Sequence, residues 1–121
     1  MKIKNKNYSE FKRNQWDRID YGSWFKSSKG QLVDTLEKKG LLKAIGNSKY
    51  EKLLDVGIGN GRQIETYKNF IERLVAIDIS SEQLKVAKRE ATKHNVPSEF
   101  IVCDDSSKLD FPDNSFDGII C

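Results

Sequence analysis

The stretch Asp55-Val56-Gly57-Ile58-Gly59-Asn60-Gly61 decides the fold of this chain. It follows the apolar pair Leu53-Leu54, which is typical of a buried parallel strand. Residues 61–71 after it carry apolar side chains at helical spacing. Glycines between a strand and a helix let the backbone turn tightly and let a ligand approach the main chain. The free amide groups of the following helix would point at that ligand. The stretch therefore predicts a ligand-binding loop in an α/β domain.

Strands and helices alternate regularly after this loop. A second apolar strand, residues 74–77, ends at Asp78, and Ser80 with Gln83 fits a helix-capping box. Pro97 ends that helix, a third strand covers residues 100–103, and a fourth opens at Phe116. This order predicts a Rossmann-like, doubly wound parallel α/β sheet, with crossovers that place helices on its faces.

Residues 1–48 are predicted to form an N-terminal helical or lid segment, and residues 49–121 the core. The segment contains helical patterns over residues 8–20 and 29–39, and Gly40 is the expected helix stop. The aromatic residues between these helices have two interpretations that stay open: closure over the ligand, or anchoring of the helices on the sheet. These residues are Tyr21, Trp24 and Phe25. The histidine, His94, is expected at a helix end rather than as a catalytic base.

The net charge of +3 is unevenly distributed. Residues 1–30 contain eight Lys and Arg residues and three acidic ones, which gives this segment a net charge of +5. Such a segment could bind an anionic substrate or an RNA, or it could be a solvated tail without a partner. No apolar run approaches the roughly 20 residues of a membrane span, and the N-terminus lacks the apolar stretch of a secretory signal. Cys103 and Cys121 form neither a metal-binding spacing nor a disulfide framework, so we expect buried, reduced thiols in a cytoplasmic protein.

The type of nucleotide follows from the residues around the loop. A dinucleotide fingerprint has its third glycine at the position of Arg62, whereas here the third glycine comes one residue early, at Gly61. Asp55 would repel a pyrophosphate but suits a ligand with a cationic end. Asp78, at the tip of the second strand, is placed to accept ribose hydroxyls, although a solvent-facing acid or a helix-cap partner is the structural alternative. These residues indicate an adenosine joined to a positively charged amino-acid portion.

Three segments resemble motifs of class I S-adenosylmethionine (SAM)-dependent methyltransferases. Residues 53–61 resemble the first motif and residues 75–80 the second. Residues 103–117 are similar to the third signature and fourth strand of the methyltransferase domain 11 branch, which includes quinone-biosynthesis enzymes. The three segments stand in the family's order and spacing over about residues 50–121. The resemblance implies that SAM is the cofactor.

The resemblance also implies roles for individual residues. Asp55 and the glycine-loop backbone would hold the methionine portion of SAM, and Asp78 its ribose hydroxyls. Ile79 would pack on the adenine, Asp105 would accept the adenine amino group with Ser106 beside it, and Asp104 is the alternative to Asp105. The cofactor-binding set is therefore Asp55, Gly57, Ile58, Gly59, Gly61, Asp78, Ile79, Asp105 and Ser106. Three positions depart from the residues that are common in the family. Ile58 stands in place of Cys or Ala, Asn60 in place of Thr, and Asp110 in place of Pro. No catalytic residue is assigned and no metal is implied.

The family has a seven-stranded sheet of order 3-2-1-4-5-7-6, of which this chain would supply only strands 3-2-1-4. We therefore expect either a fragment or a sheet completed by a partner, such as a second copy in a homodimer. The predicted activity is methyl transfer to an unidentified, small-molecule acceptor. The alternatives are an RNA or tRNA methyltransferase and a non-catalytic SAM-binding module. The displaced third glycine argues against a nicotinamide-dependent oxidoreductase.

Overall fold

The computed structural model describes residues 6–104 and 108–121. Three helices precede the sheet, and strands then alternate with short helical segments. In chain order the elements are α1 (Lys6–Arg18), α2 (Tyr21–Trp24), α3 (Ser28–Ile45), β1 (Tyr50–Val56), α4 (Ile64–Tyr67), a 3-10 turn (Lys68–Phe70), β2 (Ile71–Asp78), α5 (Ser81–Lys93), β3 (Ser98–Val102) and β4 (Gly118–Ile120).

The four strands form one parallel sheet of order β3-β2-β1-β4. Asp55 lies in β1 between Ala76 of β2 and Ile120 of β4, so the first strand is central among the described ones. β4 is an edge strand of this sheet, with Ile119 65% exposed. The predicted partial Rossmann-like sheet of order 3-2-1-4 is confirmed.

The main core lies on one face of the sheet. The connections from β1 to β2 and from β2 to β3 lead in the same direction across the sheet, so right-handed crossovers place α4 and α5 on the same face. Alternate strand residues point to that face because side chains alternate along a strand. The core cluster there contains Ile45, Leu53, Ile58, Ile64, Tyr67, Leu74, Ala76, Leu84, Ala87, Ala91 and Val96.

A smaller core lies on the opposite face. Leu54, Val75 and Ile77 are at most 3% exposed there. Phe111 and Phe116 pack against them and against each other edge to face, with ring centroids 5.0 Å apart. Phe111 and Phe116 therefore belong to this second core.

Helix α3 is longer than predicted, since it runs through Gly40 to Ile45 and ends at Gly46. Gly46 has a φ of +57° and its amide donates to the carbonyl of Leu42 at 3.0 Å. A glycine inside a helix costs about 1 kcal/mol, and burial of Leu41 and Ile45 on the core beyond it offsets that cost. The prediction that Gly40 ends the helix was therefore wrong.

The prediction of a helix over residues 61–71 was also wrong, because the helix in this segment is much shorter. Residues 61–63 form turns, α4 covers only four residues, and a 3-10 turn leads directly into β2 at Ile71. The reason lies in Gly61, which has a φ of +78° and cannot be the first residue of an α-helix. A helix of this length offers no N-terminal site for a ligand, and the amides of Gly57, Ile58 and Gly59 are bonded within the fold, so the loop offers a ligand its bare backbone surface.

Helix α5 begins as predicted. Ser80 Oγ accepts a hydrogen bond from the amide of Gln83 at 3.1 Å. The capping box is only half formed, because the Gln83 side chain donates instead to the carbonyls of Trp16 at 3.3 Å and Ile19 at 3.1 Å. His94 lies at the C-cap of α5, as expected from its position. Gln83 thus joins the N-terminal helices to the core.

Cys103 and Cys121 are both free. Their predicted burial was wrong, since Cys103 is half-buried just beyond β3 and Cys121 is exposed just beyond β4. Among the described helices, none is both long and apolar enough to cross a membrane.

Candidate functional site: the cavity at the strand ends

A cavity of about 780 Å³ opens at the carboxyl ends of β1 and β2. In open α/β sheets this edge is where ligands bind. The glycine loop forms its floor, and side chains of α1 and α3 form the opposite wall. Its lining residues include Lys12, Trp16, Tyr21, Glu37, Leu41, Asp55, Gly57, Ile58, Gly59, Arg62, Asp78, Ile79, Asp104, Ile120 and Cys121.

The first two glycines present bare backbone to open space. Gly57 and Gly59 have φ values of +74° and +59°, and a Cβ on either would meet no atom within 4 Å. The amides of Gly57 and Ile58 both donate to the carbonyl of Ile77, at 2.8 and 3.3 Å, which fixes the loop against the end of β2. A ligand can therefore lie against the main chain at Gly57 and Gly59.

The third glycine performs a different task. A Cβ on Gly61 would come within 2.8 Å of the Cα of Ala87 in α5. Gly61 is buried in this contact and does not line the cavity. It allows the loop to pack closely against a helix, which is the task of the third glycine in dinucleotide sites, although it occurs here one position earlier and against a different helix.

Asp78 joins the glycine loop to the start of α5. Its Oδ2 accepts from the amide of Gly59 at 2.8 Å, and its Oδ1 accepts from the amide of Ser80 at 2.9 Å. The carboxylate is half-buried and lines the cavity. Each carboxylate oxygen can accept more than one hydrogen bond, so Asp78 can hold the loop and still accept from a hydroxyl group in the cavity.

Asp55 is a buried carboxylate in the cavity wall. It is 5% exposed, and its Oδ2 accepts a hydrogen bond of 2.9 Å from the hydroxyl of Tyr67, which is fully buried. Burial raises the pKa of Asp55 to about 6, the hydrogen bond from Tyr67 opposes this rise, and the charge of Asp78 adds to it. Burial and the neighbouring Asp55 likewise raise the pKa of Tyr67, so the hydroxyl stays protonated as a donor.

Ion pairs and hydrogen bonds hold the N-terminal helices over the cavity. The Arg62 guanidinium donates to Asp34 at 2.7 Å and to Glu37, both in α3, and it stacks 3.9 Å from the ring centroid of Phe25. On the other side of the cavity, Arg13 of α1 pairs with Asp104. The glycine loop and the end of β3 are therefore each tied to a different N-terminal helix.

The aromatic residues of the N-terminal segment differ in their position relative to the cavity. Tyr21 lines the cavity, whereas Phe25 lies under Arg62 and Trp24 is 47% exposed. Their rings form an edge-to-face series from Trp16 through Tyr21 and Phe25 to Trp24. Of the three, only Tyr21 lines the cavity, while Phe25 packs on Arg62 and Trp24 packs on Phe25.

The structure brings most of the predicted cofactor-binding residues together. Asp55, Gly57, Ile58, Gly59, Asp78 and Ile79 line one cavity, and Gly61 lies behind it. Asp105 and Ser106 lie outside the described residues. Asp104, the alternative to Asp105, lines the cavity and pairs with Arg13. Tyr67 was missed, because its spacing from the glycine loop marks it only as an apolar core residue of a helix.

Comparisons with known proteins agree with this arrangement. A family model described as "Methyltransferase domain" matches residues 54–121. The demethylmenaquinone methyltransferase of Renibacterium salmoninarum is 36% identical over 76 residues, which are 63% of this chain and 30% of the relative. A solved SAM-dependent methyltransferase from Aquifex aeolicus is 25% identical with a TM-score of 0.55, and the match covers 69% of this chain and 46% of that one.

A protein of lower sequence identity shares the fold. A phosphoethanolamine N-methyltransferase from Haemonchus contortus, solved with S-adenosylhomocysteine, superimposes on 93% of this chain and 24% of its own with a TM-score of 0.70, at 14% identity. The chain spans about 30% of the length of the curated relatives that it matches. The family prediction is confirmed, and so, at the level of the family, is SAM as the cofactor.

Proposed function

This chain belongs to the methyltransferase-domain family of class I SAM-dependent enzymes, and on that premise we propose that it forms the cofactor-binding part of a methyltransferase. In such a reaction the methyl group on the sulfonium of SAM passes to a nucleophilic atom of the acceptor. The acceptor loses a proton and S-adenosylhomocysteine leaves. The task of these residues is to bind the cofactor, orient it and keep water away.

One observation carries the proposal: two carboxylates flank a bare glycine loop in a single cavity. Asp78 lines the cavity and can still accept hydrogen bonds besides those from Gly59 and Ser80, and Asp55 lines the same cavity near the end of β1. Two carboxylates would repel a pyrophosphate placed between them. They would attract the cationic amino-acid portion of a ligand that also contains adenosine. The residues present therefore suit SAM.

We assign the binding roles accordingly. Asp55 and the backbone at Gly57, Ile58 and Gly59 hold the methionine portion, and Asp78 accepts from the ribose hydroxyls. Ile79, half-buried in the cavity wall next to Asp78, packs on the adenine. Gly61 acts behind the cavity by keeping the loop close to α5. Asp105 and Ser106 complete the adenine end on the strength of the family resemblance alone.

The proposed acceptor is a small molecule in the cytoplasm. The relative named for demethylmenaquinone supports a small organic acceptor, and the apolar residues Trp16, Leu41 and Ile120 in the cavity wall are compatible with one. This chain spans about 30% of the length of those relatives, so the acceptor is proposed for the whole protein. We assign no catalytic residue.

Calorimetric titration tests the proposal. SAM and S-adenosylhomocysteine are each expected to bind one site per chain, and NAD is expected not to bind. Adenosine is the comparison ligand, and it should bind more weakly than either because it lacks the charged amino-acid portion. Tight binding of NAD together with no binding of SAM would refute the proposal.

A further inference from the structure

Tyr67 carries a hydroxyl that the packing alone does not need. The side chain is fully buried in the main core, among residues such as Ile64 and Leu74. Its hydroxyl donates to Asp55 Oδ2 and makes no other hydrogen bond within the described residues. A phenylalanine would fill almost the same volume without a polar group. The hydroxyl therefore serves the carboxylate rather than the core.

The contact leaves Asp55 in a defined orientation. Tyr67 approaches from α4, on the main-core face of the sheet, while Asp55 itself forms part of the cavity wall. With Oδ2 occupied, Oδ1 has no hydrogen-bond partner in residues 6–104 or 108–121. Hydrogen bonds from a fixed donor hold a carboxylate in one rotamer and lower the cost of keeping its charge buried.

We propose that Tyr67 is a positioning residue, which holds Asp55 so that its free oxygen faces the ammonium group of the amino-acid portion of SAM. The inference rests on the proposed function, because it concerns the same cavity. Tyr67 touches no ligand itself and acts through Asp55. It would thereby help to discriminate ligands that carry the cationic amino acid from adenosine derivatives that lack it.

The role predicts a characteristic pH dependence. Binding of a cation to Asp55 requires the ionised carboxylate, so affinity for such a ligand should decrease as the pH falls through about 6. Other charged or titratable groups line the same cavity on every side: Lys12 of α1, Tyr21 of α2, Glu37 of α3, Arg62 after the glycine loop, Asp78 of β2, Cys103 and Asp104 beyond β3, and Cys121 beyond β4. Only Asp55 receives the hydroxyl of Tyr67, so a Tyr67 variant isolates its contribution.

The test compares two ligands in two tyrosine variants between pH 5.5 and 8.5. S-Adenosylhomocysteine carries the amino acid and 5′-methylthioadenosine lacks it. Tyr67→Phe is expected to raise the pH midpoint of S-adenosylhomocysteine binding by about one unit, which weakens binding about threefold at pH 6.5. Methylthioadenosine binding should be unchanged. Tyr50→Phe, at the far end of β1, is the matched control, because its hydroxyl makes no hydrogen bond within the described residues, and it should behave as the wild type.

The outcomes separate this inference from the proposed function. If the wild type binds neither ligand, the proposed function fails. If the wild type binds both but Tyr67→Phe leaves the midpoint unchanged, or weakens both ligands equally, the positioning role is overturned. Should Tyr67→Phe fail to fold, 3-fluorotyrosine at position 67 replaces it. This stronger donor should lower the midpoint, and an unchanged midpoint overturns the inference.

Discussion

Replacing Asp55 with Asn is expected to stabilise the fold while weakening SAM binding. The pKa of Asp55 is raised from an ordinary 3.8 to about 6 in the folded chain, chiefly by burial. Each pKa unit corresponds to 1.36 kcal/mol, so the ionised carboxylate costs roughly 3 kcal/mol of folding free energy at neutral pH. An asparagine has nearly the same shape, and its Oδ1 can still accept from the hydroxyl of Tyr67.

The direction of the pH dependence follows from the raised pKa. An acid whose pKa is higher in the folded state favours folding when it is protonated. The wild type therefore loses stability as the pH rises from about 4 to about 6, and the loss is complete above that range. The neutral amide of the Asp55→Asn variant has no such dependence. The gain from the substitution should be near zero at pH 4 and reach its full value by pH 7.

Urea unfolding followed by circular dichroism at pH 4, 5, 6, 7 and 8 measures this difference. Asp110→Asn, which alters an exposed carboxylate, is the control and should show little change. A gain that is equal at every pH would mean that the amide merely packs better. A less stable Asp55→Asn variant at pH 8 would refute the reasoning. The accompanying loss of SAM binding would place Asp55 among residues kept for function at a cost in stability.

Three further single variants and one rescue substitution test the geometry of the loop. Asp78→Asn should weaken SAM binding by about 1–3 kcal/mol and speed hydrogen exchange at the amide of Gly59; unchanged affinity would contradict the ribose role. Gly61→Ala should lower the unfolding free energy by about 1–3 kcal/mol, because of its φ and its approach to Ala87. Adding Ala87→Gly should restore only part of the lost stability, because the backbone of residue 87 also lies close to the new Cβ. If Gly61→Ala alone were as stable as the wild type, the contact would be refuted. Arg62→Ala should speed hydrogen exchange of the α3 amides and lower the unfolding free energy by about 1–2 kcal/mol. Exchange at the wild-type rate would show that the ion pairs of Arg62 with Asp34 and Glu37 do not hold α3 in place.

Local sequence patterns were sufficient for the sheet and for most of the site. Short apolar runs that end in glycine or aspartate predicted the strands, and Ser80 predicted the start of α5, because both patterns act within a few residues. The acids at the strand ends came together because parallel strands end at one edge. Asp55 and Asp78 could therefore be assigned to the same site before their contacts were known.

Features that depend on distant contacts could not be predicted in this way. Gly40 is typical of a helix end, and α3 continues past it because Leu41 and Ile45 pack on the core. The segment after Gly61 has helical spacing, but the close approach to Ala87 delays the helix. Tyr67 resembles an ordinary core residue, since nothing in its local sequence reveals that its hydroxyl reaches Asp55, 12 positions earlier.

The position of β1 in the sheet has a consequence for how the chain acquires its structure. Strand β1 pairs with β2, some 20 residues later, and with β4, which is more than 60 residues later. The carboxylate of Asp117, just before β4, also accepts from the amides of Glu51 and Lys52, at 2.8 and 2.9 Å, across the same long separation. Because long loops close more slowly than short ones, β3, β2 and β1 should associate first. During synthesis, the flank of β1 that carries Asp55 should then stay open until β4 leaves the ribosome, so Asp117 marks the final step in assembly of these four strands.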